Sequence, residues 1–181
     1  MEKKSIYRYA SEAGLPVGLY LTLMSACLLL SVKVAAAPLL ILPLCIGFPF
    51  VLWFQIKKIS REEPSYNKFS SLWLGGIYTV IFGTLICMFF SAIYIIFCEP
   101  NFVHLYVTNA LDAIESSPMA GEYEASVAMM REAMEAHILP TGLQFLMTMA
   151  WTTCFVGSIL SLFMALIMSR SGKNITRQFP A

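Results

Sequence analysis

Charged side chains are absent from four stretches of the chain, Leu15 to Val32, Ala35 to Ile56, Leu72 to Cys98 and Thr141 to Met168, apart from Lys33 between the first two, and collect between and beyond them. Crossing the hydrocarbon of a bilayer takes roughly 20 helical residues, and an open strand there would leave unpaired backbone groups at several kcal/mol each. Each stretch therefore predicts a membrane-spanning helix. The expected fold class is all-α: a polytopic transmembrane four-helix bundle forming one membrane domain over residues 1–181, with a cytoplasmic loop at 57–71. The third and fourth runs exceed what a span needs. At about 1.5 Å per residue they reach about 40 Å, so protrusion on the outer side is expected.

The segment 99–140 has a different pattern. Pro100 suits a first helical position, and Val103, Val107, Ala110 and Ile114 fall on one face, opposite Thr108, Asp112 and Glu115. Ser116 to Gly121 breaks that pattern. A second stripe, Tyr123, Val127, Met130, Met134 and Ile138, opposes Glu124, Glu132 and Glu135. These features predict an amphipathic helical hairpin whose apolar faces pack together or lie at the lipid interface.

Composition supports a bilayer as solvent, since 58% of residues are apolar and only 13% charged. The net charge of +1 provides no basic field for nucleic acid. The distribution of charge sets orientation. Ten of the twelve basic residues precede the first run, follow the second or follow the fourth, while Lys33 and Arg131 alone lie on the other side, where acids concentrate. The positive-inside bias places both termini in the cytoplasm and the hairpin outside. Ala35-Ala36-Ala37 resembles a signal cleavage site, but Lys33 and Pro38 flank it and the apolar run is too long, so the segment is expected to remain as a helix. Met24-Ser25-Ala26-Cys27 resembles a lipidation box, yet the residues beyond Cys27 stay apolar. The five cysteines have no ligand-like spacing and read as small fillers.

Helices bathed in lipid associate through close backbone approach, which small residues permit. Rows at four-residue spacing are Gly14, Gly18, Thr22 and Ala26 in the first helix, Thr79, Gly83, Cys87 and Ser91 in the third, and Thr153, Gly157, Ser161 and Ala165 in the fourth. They predict a compact bundle, or a homo-oligomer that uses a spare row. Pro38, Pro43 and Pro49 predict a kinked second helix.

The runs contain no Asp, Glu, His, Lys or Arg. Without such groups an intramembrane enzyme lacks its base and its metal ligands, and an ion-coupled carrier lacks its relay. The polar cluster Gln144, Thr148, Thr152 and Thr153 is expected to serve interhelical hydrogen bonds. The expectation is a non-enzymatic, cofactor-free scaffold or accessory component that presents its acidic hairpin to an envelope protein partner. The alternative is a small transporter or channel subunit acting as an oligomer. A more remote alternative is metal sensing by Met130, Met134 and His137, soft ligands that share a helix face.

The order of features resembles domain of unknown function 4199, a family of four-span bacterial membrane proteins found mostly in Bacteroidetes. The likeness rests on Met1-Glu2-Lys3-Lys4 through Arg8 into a glycine-bearing first helix and on Asn67-Lys68-Phe69-Ser70 entering the third. It continues with Cys98-Glu99-Pro100-Asn101-Phe102, Met129-Met130-Arg131-Glu132 and the small-residue fourth helix. The resemblance covers nearly the whole chain and implies a multi-pass protein of the bacterial inner membrane. It implies no activity and no site residues.

Overall fold

The computed structural model describes residues 5–34, 36–62, 68–116, 121, 123–136 and 138–178, with side chains excepted at 62 and 171–178. The described chain is helical throughout: α1 (Ile6–Leu30), α2 (Ala37–Glu62), α3 (Phe69–Phe97), α4 (Phe102–Glu115), α5 (Glu124–Glu135) and α6 (Gly142–Gln178). Four of these, α1, α2, α3 and α6, are long and apolar enough to cross a membrane, and at most a third of each one's most apolar window is buried inside the protein. Much of the rest is exposed. On α2 the outward stripe is Leu39, Leu42, Ile46, Phe50 and Phe54, and on α6 it is Trp151, Phe155, Ile159, Phe163 and Ile167. Apolar surfaces of this extent are sustained by lipid, not by water.

Helix α3 is the centre of the bundle. It packs most extensively on α1 and next on α6, while α2 leans mainly on α1. The small residues explain the order. A Cβ placed on Gly83 would lie 2.8 Å from Val17 Cγ1 and 3.1 Å from the Gly18 nitrogen, and one on Gly14 would lie 2.6 Å from Phe82 Cβ. Nearby on α3, a Cβ on Gly76 would meet Ser161 Cβ at 2.7 Å, and one on Gly157 of α6 would meet Val80 Cγ1 at 2.6 Å. Both α1 and α6 therefore approach α3 closely, and dispersion contacts replace the hydrophobic drive that lipid removes.

The helices extend beyond the apolar runs. Helix α1 begins well before Leu15, because Ala10 and Ala13 are still buried against the bundle and Arg8 pairs with Glu12 at 3.5 Å along the exposed side. Helix α2 continues through Lys57, Lys58 and Arg61, because Ile59 remains buried. The loop expected at 57–71 thus gives its first part, through Glu62, to helix. Helix α6 opens with a capping box: the Thr141 nitrogen donates to Gln144 Oε1 at 2.9 Å, and the Gln144 nitrogen donates to Thr141 Oγ1 at 3.3 Å.

One proline sits differently from its expected role. Pro38 falls in the first turn of α2, where its missing N–H removes no helical bond, so only Pro43 and Pro49 are interior. Pro16 is interior as well, in α1. Helix α2 runs on through its two prolines, and the Tyr20 hydroxyl donates to the Leu44 carbonyl at 2.7 Å, one residue before the carbonyl that Pro49 deprives of its donor. Gly47 leaves room for that hydroxyl. Tyr20→Phe is expected to weaken the α1–α2 contact by about 1 kcal/mol, read as faster exchange of α2 amides in detergent micelles with α3 unchanged.

Candidate functional site

At one end of the bundle α1 finishes, α2 starts, α3 finishes and α6 starts, and α4 packs against that end. Phe102, in the first turn of α4, is fully buried with Leu29 of α1, Ile95 of α3 and Leu146 of α6. Its ring stacks on Tyr106 at 5.7 Å between centroids and meets Phe145 of α6 at 5.8 Å. Val103 and Leu111 continue the buried face. Of the stripe read from sequence, Val103 is buried and Val107 and Ile114 are half-buried, whereas Ala110 is exposed. The anchors that sequence reasoning missed are Phe102 and Tyr106. Their signal was a pair of aromatics one turn apart, straight after Pro100-Asn101.

Polar ties join the same end. Lys33, in the α1–α2 connection, forms an ion pair with Glu99, and the Asn109 side chain donates to the Val32 carbonyl at 3.0 Å. The hydrogen bond to Glu99, with the attraction of its charge, holds the Lys33 ammonium above the usual lysine pKa. Being raised, that pKa keeps Lys33 charged for the tie at neutral pH, and the lysine's contribution is lost as pH rises through it. Titration of the Lys33 Cε resonance should therefore give a midpoint above the ordinary value of 10.5, returning towards it in Glu99→Gln.

Helix α5 is held to α4 by Arg131, which donates to both carboxylate oxygens of Glu115 at 2.7 and 2.9 Å. Within α5 only Val127 is buried. Met134 is half-buried and lines the crevice beside Val103 and His104, while Met129, Met130, Tyr123 and Ile138 are exposed. Lys33 and Arg131 are thus both paired to acids, and Asp112, Glu124, Glu132 and Glu135 form no ion pair among the described residues. His137, Glu122 and the expected turn residues 117–120 lie outside the described residues, and with His137 so does part of the Met130, Met134 and His137 grouping. Among the described residues no three His, Cys, Asp or Glu side chains gather as a metal would require.

The packing rows divide. Gly14 and Gly18 face Thr79 and Gly83, and Gly157, Ser161 and Ala165 are buried facing the Gly76 and Val80 side of α3. Thr22 and Ala26 turn away from that seam into a crevice beside Phe90 and Tyr94, and the residue that meets Ser91 is Ser25, hydroxyl to hydroxyl at 2.7 Å. Cys87 stands 3.9 Å from the Ser91 hydroxyl, and Thr153 is half-buried. The α6 polar cluster turns inward on its own helix: Thr148, Thr152 and Thr153 each donate to the carbonyl four residues earlier, and Gln144 serves the cap.

A family model described as a protein of unknown function (DUF4199) matches residues 13–170. The chain belongs to this family. The match takes in both helices of the DUF4199 end cap and all four spans, from within α1 to within α6. No curated protein and no solved structure matches the chain.

Proposed function

We propose that this multi-pass membrane protein is a non-enzymatic component of the bacterial inner membrane whose bundle holds α4 and α5 on the outer side for a protein partner. Both termini then lie in the cytoplasm, as the basic flanks favour. The observation that carries this reading is the contrast within the cap. Helix α4 is buried by Phe102 in a cluster with residues of three spanning helices, while α5 leaves Met129 and Met130 exposed on the same short helix that carries Glu124, Glu132 and Glu135. An exposed apolar pair on an acidic helix suits a partner surface that is apolar in part and cationic in part. Proton or hydrolytic chemistry has no support in the spans, where the charge-free runs offer no general base.

A photoreactive residue at Met129 in cells should yield a discrete crosslinked adduct. The adduct should disappear when Glu132 and Glu135 become Lys, and it should not form from Phe155, which faces lipid. Equal labelling at Met129 and Phe155, or an adduct indifferent to the charge reversal, would remove the scaffold reading.

A further inference from the structure

In the half of the bundle nearest α4, a cavity of about 110 Å³ lies among α1, α2, α3 and α6, and it shares Leu29, Phe145 and Leu146 with the cluster around Phe102. Three methionines from three helices, Met24, Met88 and Met149, line it together with the Phe145 ring. Its polar side chains are engaged elsewhere. The Ser25 and Ser91 hydroxyls meet at 2.7 Å, with the Cys87 thiol 3.9 Å from the second, and Thr153 donates to the Met149 carbonyl on its own helix at 2.8 Å. The Thr84 hydroxyl is buried within the protein and does not open into the space. The spanning runs carry no charged side chain. An occupant with a charge or a hydrogen-bonding group of its own would therefore hold that group uncompensated.

We infer that this cavity is a binding site for a single-ring aromatic hydrocarbon, a molecule of benzene's size and polarity, taken up from the bilayer. Volume sets the size. An apolar cavity of about 150 Å³ admits benzene, and one of about 110 Å³ admits the same ring where flexible methionine side chains give way, with no room for a second ring or an acyl chain. Sulfur selects the aromatic. A thioether about 5 Å from a ring is attracted to it, often at the ring edge, and an aliphatic molecule of equal size gains no such contact. Three thioethers around the space, with Phe145 as a further wall, thus favour benzene over cyclohexane. The hydrocarbon enters sideways. Helices α2 and α6 touch only lightly, and Met149 both lines the space and is exposed on the lipid side, where the bilayer concentrates apolar molecules.

The test uses the full chain with isotope-labelled methionine methyls in phosphatidylcholine nanodiscs, and benzene, cyclohexane and naphthalene as probes at matched membrane concentrations. Through its ring current benzene should shift the methyl resonances of Met24, Met88 and Met149 to a saturating limit, while Met147, exposed on α6 outside the cavity, follows the dissolved concentration without saturating. Cyclohexane should compete about tenfold more weakly than benzene, the value of three thioether contacts at the low end of their range, and naphthalene should not compete. Met88→Leu with Met149→Leu, which keeps the volume and removes two sulfurs, should cut that preference to about twofold, read at Met24. Ala150→Leu, which puts a branched side chain into the space, should abolish saturation, with circular dichroism confirming the helices. Shifts at Met24 and Met88 that never saturate in the unaltered chain would overturn the inference. So would cyclohexane or naphthalene competing as well as benzene, a preference untouched by the double leucine variant, or saturation that survives Ala150→Leu.

Discussion

Gly83→Leu should lower the stability of the bundle by about 3 kcal/mol, the upper range for overpacking, and it should do so by parting α1 from α3. The atoms that a new side chain meets cannot move aside cheaply. Val17 is β-branched and fully buried, and the next neighbours, the Gly18 nitrogen and the Gly14 oxygen at 3.3 Å, are backbone. Relief requires the two axes to separate, which forfeits the largest helix contact in the molecule and breaks the Ser25–Ser91 hydrogen bond further along the same seam. Reversible unfolding in mixed micelles measures the loss. Gly121→Leu is the matched control, since a Cβ there meets nothing within 4 Å, and it should leave stability unaltered.

Phe102→Ala should cost about 3 to 5 kcal/mol locally and release α4 from the bundle without unfolding the spans. Among the described residues Phe102 is the largest fully buried side chain, and its cluster joins α4 to residues of α1, α3 and α6. Its removal leaves Tyr106 and Phe145, now 6.3 Å apart, bordering a void. Hydrogen exchange of α4 amides should then rise by about two orders of magnitude or more while α3 amides keep their protection, since every increment of about 1.4 kcal/mol is a factor of ten. Crosslinking from Met129 should fall in the same variant if a fixed α4 is what presents α5.

The four spans could be read in the sequence because charge is so costly in hydrocarbon that it is excluded over the roughly 20 residues of a crossing, a gap that a water-exposed helix has no reason to keep. Helix ends were less legible. Ala10 and Ala13 are small and lie among charges, so only their burial reveals that α1 has already begun. The small-residue rows were legible in part for a geometric reason. A step of four residues turns about 400°, so a row drifts by about 40° each step and soon leaves the seam. Gly14 and Gly18 stay on it, Thr22 and Ala26 drift off, and Leu21 and Ser25, a step of three then four further on, return to it. The α6 row kept its place through Gly157, Ser161 and Ala165 because those residues sit around the closest approach to Gly76 and Val80. Nothing in local sequence distinguishes Met24, Met88 and Met149 from the other methionines, since their shared cavity depends on where four helices leave space. The same holds for Phe102, whose partners come from three other helices.

The proposed topology puts both ends of the chain on one face of a membrane and the α4–α5 segment on the other. Reporters that are active in only one compartment, fused at residue 1, at residue 181 and inserted at Gly121, test this directly. The prediction is that both terminal fusions report the cytoplasm and the Gly121 insertion reports the outside. Terminal fusions reporting from opposite faces, or a Gly121 insertion that reports with them, would contradict it.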